Sequence, residues 1–155
     1  MTRILILLIS ISLISACGGK SEVLVVSDNP TDKTLSSGEF LEFRIPADDS
    51  LSLFDIDIYA RIHSEAEAVS IPSVLRIISP TGMKFSDTII LELNRDINSG
   101  LYTKSGIWKD FRWSYRRGVQ FPVRGTWYVR LELKEMSPEV DGLAEVGFIL
   151  KKRGT

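Results

Sequence analysis

The chain holds 155 residues, 44% hydrophobic and 25% charged, and its 19 basic and 20 acidic side chains leave a net charge of −1. That balance excludes a nucleic-acid binder that depends on neutralising phosphates. With one cysteine and one histidine, it also excludes an internal disulfide and the Cys- and His-rich structural zinc patterns.

Ile4 to Ala16 is an apolar run broken only by Ser10, Ser12 and Ser15. A membrane-crossing helix needs roughly 20 apolar residues, so this run is too short to span. With Arg3 ahead of it and small residues at its end, it reads as an export signal. Ser15 and Ala16 lead directly into Cys17, Gly18 and Gly19. The stretch Leu13 to Cys17 resembles the lipobox of bacterial lipoproteins. That resemblance implies cleavage before Cys17 and acylation of Cys17, so that the chain meets a membrane through a lipid anchor. Each buried methylene contributes about 0.8 kcal/mol, and two or more chains hold a protein where one does not.

Residues 18–38 are rich in Gly, Ser, Asp, Asn, Pro and Thr, and "SDNPTDK" within them is turn-like. The apolar Val23 to Val26 is either a first strand or part of a tether. The expected organisation is a signal peptide over 1–16, an acylated N-terminus and tether over 17–38, and one domain over 39–155.

From Glu39 onward the pattern alternates. Leu41, Phe43 and Ile45 share one parity, as do Ile56, Ile58, Ala60 and Ile62, with Asp55, Asp57, Tyr59 and Arg61 on the other side; both are half-buried strands. "SVLRIIS" is nearly all apolar, as expected of a central strand packed on both faces. "SPTG", Ser79 to Gly82, reads as a hairpin turn, with Pro at its second position and Gly free to take positive φ. The span from Asn94 to Asp110 reads as a long connection able to hold a helical turn. "FRWSYRR" places Phe111, Trp113 and Tyr115 opposite Arg112, Ser114 and Arg116. "GTWYVRLEL" places Trp127, Val129 and Leu131 opposite Tyr128, Arg130 and Glu132, and "LAEVGFILKK" closes the chain. About seven short strands at intervals of about 10 residues predict an all-β fold, a single antiparallel β-sandwich with Greek-key or jelly-roll-like connections.

No nucleophile elbow, P-loop, dinucleotide fingerprint or calcium loop occurs, and no metal or other cofactor is implied. Asp55 and Asp57 lie about 7 Å apart on one strand face, a spacing that glycosidase carboxylates can take. Solvation or pairing with arginine is the ordinary fate of such a face. His63, at a strand end, reads as a polar-face residue. The expectation is a non-enzymatic protein. The density of Trp, Tyr and Arg from Trp108 to Arg130 is of the kind enriched in binding hot spots. Trp113 and Trp127 share parity with core residues. That leaves Arg112, Arg116, Tyr128 and Arg130 as a possible interaction face for a protein or a glycan.

The order of motifs in "SVLRIISPTGMKFSDTIILEL", "FRWSYRRGVQFPVRGTWYVRLELKEM" and "LAEVGFILKK", over residues 53–152, resembles the gliding-motility lipoprotein GldH family of Bacteroidetes-type bacteria. The matching positions are Val74 to Ser79, Pro80 to Gly82 and Asp87 to Ile89, then Tyr115, Phe121, Gly125, Trp127, Val129 and Met136, then Gly142, Leu143, Glu145, Val146, Gly147 and Leu150. The long connection departs from the family's glycine-rich segment, and Met136 lacks the family's following arginine. The resemblance implies a non-catalytic cell-envelope lipoprotein supporting the gliding and type IX secretion machinery, with other envelope proteins as partners. A glycan-binding envelope lipoprotein is the competing expectation. Gly18 and Gly19 carry no acidic retention signal, and "KSE" is a weak form of a surface-export signal. By analogy these features place the protein in the outer membrane, facing the periplasm.

Overall fold

A computed structural model describes residues 22–93 and 102–154, and among them there is no α-helix. In chain order the strands are β1 (Val23–Asp28), β2 (Thr34–Leu35), β3 (Phe40–Ala47), β4 (Phe54–His63), β5 (Ser70–Ile78), β6 (Lys84–Glu92), β7 (Tyr102–Ser105), β8 (Trp108–Val119), β9 (Gly125–Leu133), β10 (Val140–Asp141) and β11 (Leu143–Lys152). One sheet runs β1-β11-β4-β8-β7 and the other β3-β9-β5-β6, with the short β10-β2 pair beside them. Every pairing is antiparallel.

The connectivity is a jelly roll. The pairs β1–β11, β3–β9, β4–β8 and β5–β6 nest like the rungs of one long hairpin, and that hairpin is rolled so that successive pairs fall in alternate sheets. Two sheets each buried on one face explain the alternation in the sequence. Leu41, Phe43 and Ile45 from β3, Ile56, Ile58 and Ala60 from β4, Trp127, Val129 and Leu131 from β9, and Val146, Phe148 and Leu150 from β11 all point into one core. Phe43 meets Phe148 edge-on at 4.9 Å between ring centroids, joining the two sheets at the centre.

Ser79 to Gly82 makes the β5–β6 hairpin as its residues require. The Gly82 amide donates to the Ser79 carbonyl at 2.9 Å, and Gly82 takes a φ of +84°.

Three expectations need correction. The sandwich begins at Val23, not Glu39. β1 pairs along its length with β11, and Leu35 is buried, so the stretch read as tether over 17–38 supplies an edge strand and a core residue. β5 is central but packed on one face only. Ile71, Ser73 and Leu75 are buried, while Arg76 on the opposite face is exposed and pairs with Glu132. The connection read over 94–110 ends in a hairpin, because β7 pairs with β8 from Tyr102 to Ser105. Its earlier part lies outside the described residues.

Candidate functional site

β8 is the strand that shapes the most distinctive region. Its pairing with β4 shifts twice, between Phe54 and Ile56 and again between Ile56 and Asp57, because β8 carries extra residues there. Such bulges re-aim side chains. Asp57 faces Ser114, but Ile56, an inward residue, faces Arg116. Arg116 therefore turns towards the space between the sheets, together with Tyr115.

Both meet Asp87 on β6 of the other sheet. The Tyr115 hydroxyl donates to Asp87 Oδ2 at 2.9 Å, and Arg116 Nη2 donates to the same oxygen at 2.7 Å. Burial pushes the Asp87 carboxyl up, but these two hydrogen bonds outweigh it and hold the group below the usual carboxylate range. Burial first, and Asp87 second, push the Tyr115 hydroxyl up.

Below this bridge the sheets part. A cleft of about 570 Å³ opens between them, lined by Ile56, Ile77, Phe85, Val119, Phe121, Trp127 and Phe148, with Asp87, Arg116 and Gln120 at its rim. Its volume falls within the range of about 300–1,000 Å³ typical of small-molecule pockets. The walls are largely apolar, a lining suited to apolar groups, with the polar side chains gathered at the rim.

β6, beside the cleft, is a sheet edge of nine residues. The Pro72 carbonyl accepts from the Lys134 amide on the β9 side, so the alternate residues of β5 serve β6. Their partners on β6 are Phe85, Asp87, Ile89 and Leu91. The backbone groups of Ser86, Thr88 and Ile90 consequently face away from the sheet. The Glu92 carbonyl, of the same parity, accepts from Trp113 Nε1 at 3.2 Å. An edge strand with outward backbone groups beside an apolar cleft is the form that receives an extended peptide segment.

The four surface residues singled out from the sequence do not share a face. Arg112 lies on the outer face of the five-stranded sheet, its Nε 2.8 Å from Asp57 Oδ2. Arg116 lies at the cleft rim. Tyr128 and Arg130 lie on the outer face of the four-stranded sheet, where Arg130 pairs with Glu42 at 2.9 Å and stacks over Phe40. Alternation alone sets Arg112 and Arg116 side by side, and the bulge separates them. Cys17 lies outside the described residues. Tyr115 is legible as an inward-parity aromatic of its strand and Asp87 only as a position in a family pattern, and nothing in their neighbours along the chain shows that they meet.

Asp55 and Asp57 are each paired with cations. Asp57 is buried, with Arg112 on one oxygen and Arg117 Nη1 2.6 Å from the other. Arg117 is thus the second cation on this carboxylate. Burial pushes Asp57 up, and the two guanidinium groups more than reverse that. The Gly118 amide, assisted by Arg153, holds Asp55 down. A glycosidase general acid needs a raised pKa, and neither carboxyl has one. His63 rests edge-on against Trp108 at 5.4 Å, and among the described residues no group of three His, Cys, Asp or Glu side chains is placed to hold a metal. No helix of the described residues is long and apolar enough to cross a membrane.

No family model and no curated protein matches the chain. Among solved structures it is similar to a serine protease of Aeromonas sobria, at 10% identity and a TM-score of 0.35, over 93% of this chain and 29% of that one. It is similar also to the Aeromonas sobria serine protease in complex with the chaperone ORF2, at 10% identity and a TM-score of 0.36, over 94% of this chain and 30% of that one. The chain thus spans under a third of the length of those structures. At such TM-scores the likeness bears on neither fold nor function.

Proposed function

We propose that the chain is a non-catalytic, lipid-anchored protein of a bacterial cell envelope. It is held through Cys17 and supports the assembly or operation of a gliding or type IX secretion apparatus, as the resemblance to the GldH family implies. The observation that carries this reading is the lipobox-like Leu13 to Cys17 lying immediately before a sandwich that starts at Val23. The β6 edge, outward-facing at Ser86 and Ile90 beside an apolar cleft, supports a protein partner, because it suits a strand of another chain better than a polar ligand. On this reading the anchor lies in the outer membrane and the domain in the periplasm, by the analogy of Gly18, Gly19 and the residues after them.

A glycan-binding role is the second reading, and Tyr128, 36% exposed, favours it. Sugar platforms need open aromatic faces, however. Trp113 and Trp127 are in the core, and Trp108 has Lys33 over its ring at 5.2 Å and His63 against it.

The deciding experiment is crosslinked affinity purification of the tagged protein from its native envelope, beside a Cys17→Ala control. Motility or secretion components recovered with the wild type and lost with the control support the proposal. Intact-mass analysis that finds no acyl group on Cys17, or recovery of glycan-uptake proteins alone, overturns it.

A further inference from the structure

Five parts of the chain meet at one end of the sandwich. The β3–β4 connection meets the β8–β9 connection, where Gln120 Nε2 donates to the Leu51 carbonyl at 3.1 Å. The C-terminal segment joins them through the Arg153 amide and the Leu53 carbonyl at 2.8 Å. The β5–β6 turn lies alongside, with Pro80 against Gly125. The chain enters β1 at this same end, where the Lys152 amide donates to the Glu22 carbonyl at 3.0 Å.

This end carries apolar side chains that face solvent. Leu51 is 78% exposed and Met83 51%, and Pro80 and Pro122 are exposed beside them. Lys84, Arg124 and Lys151 are exposed there and make no ion pair among the described residues. The acids of this end are largely engaged: Asp49 and Glu22 by Lys152, and Asp55 by Arg153, leaving Asp48. The opposite end is of the other sign, with Glu65, Glu67, Glu135 and Glu139 all exposed. It also exposes Val69, Ile107 and Met136, and Lys134 beside them, but its four glutamates outweigh that cation, so the two ends differ in charge and not in apolar exposure.

Cys17 stands five positions before Glu22. Five extended residues span at most about 18 Å, so an anchor at Cys17 keeps this end close to the bilayer. Apolar side chains interleaved with unpaired cations are what an anionic lipid surface attracts, and a basic patch is a recognised second signal beside an acyl chain.

We infer that the end formed by Leu51, Pro80, Met83 and Pro122, ringed by Lys84, Arg124 and Lys151, is a membrane-docking surface for anionic lipid. The acidic end then points away from the bilayer, and the β6 edge stands out sideways, accessible to a partner. This inference rests on the anchored reading proposed above.

The test uses the chain from Cys17 onward, coupled through its single cysteine to a maleimide lipid in vesicles of phosphatidylethanolamine and phosphatidylglycerol. Backbone hydrogen exchange is compared with that of the same chain free in solution. Exchange is expected to slow several-fold over 48–53, 80–83 and 120–124, and to stay unchanged over 64–69 and 134–139. The double variant Leu51→Asp with Met83→Asp, both at exposed loop positions, is expected to abolish the slowing, and Met136→Asp to leave it intact. Unchanged exchange at the three connections, slowing at the opposite end or along β6 instead, or slowing that survives the double variant overturns the inference. The anchor is installed chemically, so the result does not depend on acylation in the cell. Failure of the docking surface and failure of the anchored reading are therefore separate results.

Discussion

The Tyr115 hydroxyl donates to Asp87 across 2.9 Å and ties β8 of one sheet to β6 of the other at the open edge of the sandwich. Arg116 bonds the same carboxylate oxygen and Trp113 Nε1 reaches the Glu92 carbonyl further along β6, so polar bonds join the sheets where the cleft leaves the core hollow. Tyr115→Phe keeps the ring and removes the bond, and it is expected to lower stability by about 1–2 kcal/mol. Asp87→Ala, which leaves the half-buried hydroxyl without its acceptor and Arg116 without its carboxylate, is expected to cost about 1–3 kcal/mol. Urea unfolding of the two variants checks the order.

Asp57 predicts an asymmetry. Its side chain is 8% exposed, whereas those of Arg112 and Arg117 are 44% and 45% exposed. Asp57→Asn frees two cations that water reaches easily. The double variant Arg112→Ala with Arg117→Ala strands a buried carboxylate and is expected to cost about 3–5 kcal/mol, the larger loss. In the double variant the Asp57 pKa, now governed by burial, is expected to rise above the ordinary carboxylate value. NMR titration of the carboxyl carbon measures it.

Acid stability follows from the same groups. Asp57 and Asp87 are both held below their ordinary values in the fold. In acid the unfolded chain therefore binds protons that the folded chain does not, and stability rises with pH across that window. Their contribution is fully present above the unfolded value of about 3.9 and is lost as pH falls through the lower folded values. The urea midpoint is expected to show no loss from these two groups between about pH 7 and about pH 5 and to drop below about pH 4. Asp57→Asn is expected to reduce that drop.

Gly147 lies opposite Tyr59 on the outer face of the five-stranded sheet, and a Cβ there meets the tyrosine ring and the Val26 carbonyl. The Tyr59 hydroxyl is tethered to Glu145 at 2.7 Å, so the ring is not free to swing away. Gly147→Ala is expected to destabilise the fold by about 1–3 kcal/mol. Tyr59→Ala in the same chain should recover only part of this, because the Val26 carbonyl remains. A double-mutant cycle in urea gives both numbers.

Much of this architecture is legible along the chain. In β9 the alternation names the buried residues correctly, and it does so for Ile56, Ile58, Ala60 and Ile62 in β4 and for Phe111 and Trp113 in β8, because a pleated strand sends successive side chains to opposite faces whatever its neighbours are. Asp57, on the outward parity of β4, is buried all the same. The same rule fails locally at Arg116, where two bulges break the period. It also misleads at "SVLRIIS", where apolar residues on the open face of β5 look like a second buried face. The short Val23 to Val26 run carries no cue that β11, at the far end of the sequence, is its partner.

The sequence by itself determined the all-β class, the inward face of the long strands and the Ser79 to Gly82 turn. Each of these depends on a few consecutive residues and on backbone geometry that needs no partner. Only the tertiary structure decided the jelly-roll order, the start of the domain at Val23, the burial of Asp57 between two arginines, and the meeting of Asp87 with Tyr115 and Arg116 above the cleft. A bulge is a mismatch in length between two paired strands, and a cleft is a gap between two sheets. Both belong to the pair and to neither strand alone.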